Sequence, residues 1–146
     1  MYTNALRVSA PGRLCLFGEH QDYFGLSIIA GAIDRRIFIT GAPRSDGRIS
    51  IVCPDVDERD EFDPGEELPY KKERDYLRST VNVLRRTGLD FPSGRDIDIR
   101  GNIPINSGTA SSSALVVAWV KFLLEAGGDA RTADEEAVAE LAFDSE

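Results

Sequence analysis

Residues 104–124 read "PINSGTASSSALVVAWVKFLL". A glycine and a run of small hydroxyl residues, Ser107 to Ser113, lead directly into an apolar stretch. From about Ser111 to Ala126, the residues Leu115, Val116, Val117, Trp119, Val120, Phe122, Leu123 and Leu124 cover nearly every side of a helix. A helix that is apolar all round is central and buried. Gly127-Gly128 ends it. The small residues at its mouth admit two readings. A single Ser or Thr suffices to cap a helix. A helix N-terminus with small residues also lets an anion approach free backbone N–H groups. The stretch alone leaves both open.

On the N-terminal side, "DIDIR" alternates Ile97 and Ile99 with acids and reads as a strand that ends at Ile103-Pro104. Before it, about Lys71 to Thr87 is helical, with Leu77, Val81 and Leu84 on one face and Gly88 as the stop. The acidic stretch "PDVDERDEFDPGEELPY" reads as a loop without assigned function. "GRISIVC" suits a half-buried strand. "LSIIAGAID" and "RRIFITG" are β-rich around a break at Asp34. "LRVSA" is a short strand stopping at Pro11-Gly12, and "RLCLFG" is a second extended piece. On the C-terminal side a last helix is expected from Thr132, with Glu135 completing a capping box and Val138, Leu141 and Ala142 inward. The order predicts an α+β fold: a mixed β-sheet with helices on one face.

The chain has 146 residues, the length of one domain, and 42% apolar residues, which is not a disordered composition. Its formal net charge is −8, from 25 acids against 17 bases, which disfavours a nucleic-acid or anionic-lipid partner. Cys15 and Cys53 make no disulfide framework and read as free thiols in a reducing compartment. With no signal pattern and no apolar run of membrane-spanning length, the expectation is a soluble, cytoplasmic protein. His20 is the only histidine, which excludes most zinc sites built on His and Cys. Neither a G-x-S-x-G elbow nor a Walker or protein-kinase glycine loop occurs.

A second constellation lies in "APGRLCLFGEHQDYFG", residues 10–25. Arg13, Glu19, His20 and Asp22 stand among glycines at 12, 18 and 25. In a tight turn Glu19, His20 and Asp22 converge, and such hydrogen-bonding groups suit a polyhydroxylated ligand. Singly, each residue reads equally as part of a solvated turn.

Together the two stretches resemble the GHMP kinases, small-molecule kinases named for galactokinase, homoserine kinase, mevalonate kinase and phosphomevalonate kinase. The block G-E-H-x-D-Y is nearer the galactokinase form than the mevalonate kinase form, which lacks the Asp. The family's second motif, P-x-G-x-G-L-[GS]-S-S-A, aligns without a gap on "PINSGTASSSAL", with Pro104, Gly108, Ser111 and Ser112 on recurring positions. Departures are Asn106 for a glycine, Thr109 for a leucine, Ala110 for Gly or Ser, Cys15 for Asn and Gln21 for Thr.

This resemblance implies a GHMP-kinase N-terminal domain over residues 1–146, with a ribosomal-protein-like second-domain fold and a role in ATP and substrate binding. It implies an ATP-dependent sugar kinase using Mg²⁺. Gly108, Thr109, Ala110, Ser111, Ser112 and Ser113 would hold the nucleotide phosphates, and Ser112 would ligate Mg²⁺. Arg13 would act on the attacking hydroxyl, and Glu19, His20 and Asp22 would bind the sugar. A catalytic Asp and a third glycine-rich motif are expected beyond Glu146. The chain is therefore expected to be a truncated form, inactive alone, against which an absent C-terminal domain would pack. A mevalonate-type kinase and a non-catalytic sugar or ATP sensor are the alternatives.

Overall fold

The computed structural model describes residues 5–91, 94–104 and 108–146. Five strands form one sheet: β1 (Leu6–Phe17), β2 (Ile29–Pro43), β3 (Ile49–Cys53), β4 (Glu58–Phe62) and β5 (Arg95–Gly101), in the spatial order β1-β2-β5-β3-β4. All neighbours are antiparallel except β3 and β5, which run parallel. Three α-helices accompany them: α1 (Tyr76–Arg86), α2 (Ser111–Ala126) and α3 (Glu135–Ser145). The sheet is mixed and the helices cover one face, as the sequence predicts.

Alternation explains the inward face. Val8 and Ala10 of β1, Ile39 of β2, Ile49 and Ile51 of β3, Phe62 of β4, and Ile97 and Ile99 of β5 are all buried in one core. Their neighbours along the strands are mostly polar and point away. Helix α2 fills that core with Trp119, Phe122, Leu123 and Leu124, all fully buried. Trp119 and Phe122 stack at 5.7 Å between ring centroids, and the indole N–H donates to the Leu77 carbonyl of α1 at 3.1 Å. Phe122 lies so close over β2 that a Cβ on Gly41 would stand 2.3 Å from its ring. Glycine here admits the helix to the sheet.

Five sequence expectations are corrected. β1 runs unbroken through Pro11-Gly12, because a bulge between Pro11 and Arg13 absorbs the proline. β2 likewise passes straight through Asp34. The acidic stretch holds a strand, β4, paired to β3 from Ile49↔Phe62 to Cys53↔Glu58. Tertiary pairing overrides its poor β-propensity. Buried Arg78 of α1 anchors it, donating to both Asp60 carboxylate oxygens at 2.8 and 2.9 Å and to the Pro69 carbonyl at 3.0 Å. Finally, α3 is capped by the Asp134 side chain, after a 3-10 turn over Ala130–Ala133; Thr132 is not its start. Helix α1 is also shorter than expected, opening at Tyr76 with Asp75 as its cap.

Only residues Ile37–Pro43 of β2 pair with β5, so beyond them β1 and β2 continue as a two-stranded ribbon. Leu14, Leu16, Phe17, Ile28 and Ile29 are exposed there. No helix among the described residues is long and apolar enough to cross a membrane.

Candidate functional site

The run of small residues does not work as a side-chain cap. The N-cap of α2 is Ala110, in the left-handed region at φ 53°, and no side chain caps the helix there. Gly108 is also left-handed, at φ 71°. The hydroxyls that might have capped the helix turn elsewhere. Ser112 Oγ donates to the Glu146 carboxylate at 2.9 Å, and Ser113 Oγ donates to the same group at 2.9 and 3.0 Å. The mouth of α2 at Ala110 thus has no side-chain cap among the described residues, and it lies beside two hydroxyls and a carboxylate. Oxygen donors of this kind suit a hard cation such as Mg²⁺, which takes few protein ligands and the rest from phosphate and water. Asn106 and Ser107, on the N-terminal side of this run, lie outside the described residues.

A cavity of about 490 Å³ opens beside that mouth. Ser111, Ser112 and Leu115 of α2 form one wall; Ile51, Cys53 and Ile99 form the floor; Lys71, Arg74 and Tyr76 form the far side. The volume is in the range of small-molecule sites, and the apolar floor with a charged rim is their usual lining. Lys71 pairs with Asp60 and Lys72 with Glu58 along the rim. Burial, with the Glu58 carboxylate adding to it, pushes the Cys53 thiol up to about 11.

A second, smaller cavity of about 130 Å³ lies in the ribbon. It is lined by Arg13, Cys15, Gly18, Glu19, His20, Tyr23 and Ile28. Gly18 at φ 86° and His20 at φ 67° make the tight turn, closed by the Gln21 N–H donating to the Gly18 carbonyl at 2.9 Å. A side chain on Gly18 would press the Ser27 carbonyl, so glycine is needed there twice over. The structure therefore brings Arg13, Glu19 and His20 to one pocket. Asp22 begins the 3-10 turn Asp22–Phe24, and its side chain lies outside what is described.

The two places are joined through the backbone. The Arg13 N–H donates to the Thr109 carbonyl at 3.1 Å. Gly12 makes that approach possible, since a Cβ there would stand 2.9 Å from the same oxygen. Of the residues singled out in the sequence, Ser111 and Ser112 reach the larger cavity and Ser112 and Ser113 reach Glu146. Gly108, Thr109 and Ala110 shape the turn between the two places. Sequence reasoning missed Glu146, Tyr23 and the whole far wall of the larger cavity. The one signal for that wall was the lysine pair, Lys71 and Lys72, that directly follows the acidic stretch.

Comparison with known proteins gives this geometry a family. Residues 2–43 match the galactokinase galactose-binding signature, and residues 75–146 match the GHMP kinases N terminal domain. The chain is 37% identical over 128 residues to a galactokinase of Pasteurella multocida, covering 86% of this chain and 33% of that one. It is 38% identical over 120 residues to a galactokinase of Actinobacillus succinogenes, covering 80% and 31%. The chain thus spans about a third of the length of these curated relatives. In fold it is similar to Lactococcus lactis galactokinase complexed with galactose, with a TM-score of 0.81 at 23% identity over 98% of this chain and 37% of that one. It is equally similar to Methanococcus jannaschii mevalonate kinase, at 0.82 and 20% identity over 97% and 46%. With both family motifs on one sheet and helix arrangement, and with matched models at either end of the chain, the protein belongs to the GHMP kinase family.

Proposed function

We propose that this chain is the ATP- and sugar-binding part of a galactokinase-type kinase, which transfers the γ-phosphoryl group of ATP to a sugar hydroxyl. The observation that carries the proposal is the hydrogen bond from the Arg13 N–H to the Thr109 carbonyl, 3.1 Å long. It ties the strand bearing the small polar pocket to the turn that opens α2. Phosphoryl transfer is chiefly a matter of positioning and charge stabilisation, so donor and acceptor sites must be neighbours in fixed geometry.

In this reading the phosphates lie on the N–H groups between Gly108 and Ser113. The base and ribose fill the larger cavity beyond Ser111 and Ser112. Ser112 and Glu146 hold Mg²⁺. The metal supplies charge neutralisation at the phosphates. The Arg13 guanidinium faces the attacking hydroxyl and stabilises negative charge developing on it. Glu19, His20 and Asp22 bind the remaining hydroxyls. The galactose-binding signature over residues 2–43 supports a sugar in preference to a smaller alcohol. The relatives' greater length is consistent with a further domain closing over these ligands.

Each cavity contains one of the two cysteines, so alkylation tests the assignment directly. Iodoacetamide labelling at pH 9, read by mass spectrometry, should show galactose shielding Cys15 and Mg·ATP shielding Cys53. Ser112→Ala should weaken Mg·ATP binding about tenfold, the size expected for a lost hydrogen bond to a charged group. Shielding of neither thiol, or of both by one ligand, would overturn the proposal.

A further inference from the structure

The smaller cavity has an aromatic wall that hydroxyl recognition alone does not use. The rings of His20 and Tyr23 lie nearly parallel, 8° between planes and 6.2 Å between centroids. Three backbone bonds fix the turn that carries them. The Gln21 N–H donates to the Gly18 carbonyl, and the Phe24 and Leu26 N–H groups donate to the Gln21 carbonyl at 3.0 and 3.2 Å. His20 is held at φ 67°, a strained position for a side chain with a Cβ. The backbone thus fixes the turn from which both rings project. Yet Tyr23 is 81% exposed. A large aromatic on a fixed turn, exposed and bordering a polar pocket, is poised to bury its face on a ligand.

A sugar is amphipathic in a way that fits. Its hydroxyls suit Arg13, Glu19 and His20, while its C–H bonds need an apolar surface. When every ring hydroxyl is equatorial, the axial C–H bonds alternate between the two faces. An axial hydroxyl at C4 leaves the hydrogens on C3, C4 and C5 together on the opposite face. The negative face of an aromatic ring attracts such a polarised C–H patch.

We infer that Tyr23 is a specificity-determining residue: its ring, set parallel to His20, packs against the C–H face of the bound aldopyranose and favours sugars with an axial 4-hydroxyl. This rests on the sugar-kinase reading above. It assigns to Tyr23 a selective role through ring stacking, separate from any hydrogen bond of its hydroxyl.

The test uses the 146-residue chain with D-galactose and D-glucose, by saturation-transfer NMR with irradiation of the aromatic protons. The unsubstituted chain should transfer saturation to galactose, most strongly to H3, H4 and H5, and less to glucose. Tyr23→Phe should keep this pattern. Tyr23→Ala should weaken galactose binding about two- to tenfold, the range for one aromatic contact, and reduce the preference over glucose by the same factor. Far-UV circular dichroism controls for folding, which an exposed side chain should not affect. If galactose binds and Tyr23→Ala changes neither affinity nor preference, the stacking role is wrong while the sugar reading stands. Loss in Tyr23→Phe equal to that in Tyr23→Ala would also overturn it, by pointing to the hydroxyl. If the unsubstituted chain binds neither sugar, the sugar reading fails and the stacking role fails with it.

Discussion

Replacing Gly12 by alanine puts a methyl group into the seam between the two cavities. The new Cβ would stand 2.9 Å from the Thr109 carbonyl oxygen, 3.1 Å from Ile33 Cδ1 and 3.2 Å from Ile103 Cδ1. The isoleucine ends yield by rotation. The carbonyl does not yield so easily, because it belongs to the backbone and accepts the Arg13 N–H. Overpacking of this kind costs about 1–3 kcal/mol. Gly12 is absent from the left-handed positions, so alanine adopts its backbone, which returns about 0.4–1 kcal/mol through the unfolded chain. The net loss is about 1–2 kcal/mol, or roughly 3–8 °C in the melting temperature of a domain of this size. Gly31→Ala is the control, since it lies in the same ribbon, opposite Leu14, with nothing within 4 Å of its Cβ. Thermal unfolding by circular dichroism should show Gly12→Ala below the unsubstituted chain and Gly31→Ala level with it or above. Equal melting of all three would show that strand and turn are not in the close contact on which the proposed function depends.

Further expectations concern charge. The Cys53 thiol is raised from 9.0 to about 11, and the thiolate is the reactive form, so its alkylation rate should climb about tenfold per pH unit from 7 and level off only near 11. Because the folded value lies above the ordinary one, the stability linked to Cys53 should be intact below pH 9 and fall away between 9 and about 11; a Cys53 rate already flat at pH 9 contradicts the burial. Burial opposes ionisation of Asp60, but bonds from Arg78 and Lys71 prevail and hold it below the usual 3.8. Its contribution should be full above about pH 4 and be lost as the pH falls through the lower folded value, which acid titration of the unfolding midpoint would check. Arg78→Ala leaves the Asp60 and Asp75 carboxylates, 13% and 7% exposed, without their buried partner. It should cost about 3–5 kcal/mol in urea unfolding, and a loss below 1 kcal/mol would mean water already reaches the pair.

Much of this protein was legible in local pattern. The apolar circumference of residues 115–124 forced a central helix, and α2 is that helix. Alternation placed Ile97 and Ile99 inward, and both are buried. The two motifs named the family because each depends on near-neighbour backbone geometry, with left-handed turns at Gly18 and Gly108 that a short stretch of sequence encodes by itself. Other features needed the assembled fold. No local rule makes a strand of "ERDEF"; β4 exists because β3 offers an edge and Arg78 neutralises Asp60 from a helix 18 residues away. The partner of Ser112 is Glu146, 34 residues on, brought there by α3 packing against α2. The seam at Gly12 and Thr109 joins two motifs whose sequences carry no information about their distance. Contacts between remote segments depend on how sheet and helices stack, and that is set by the sum of buried surfaces across the core, which no single stretch contains.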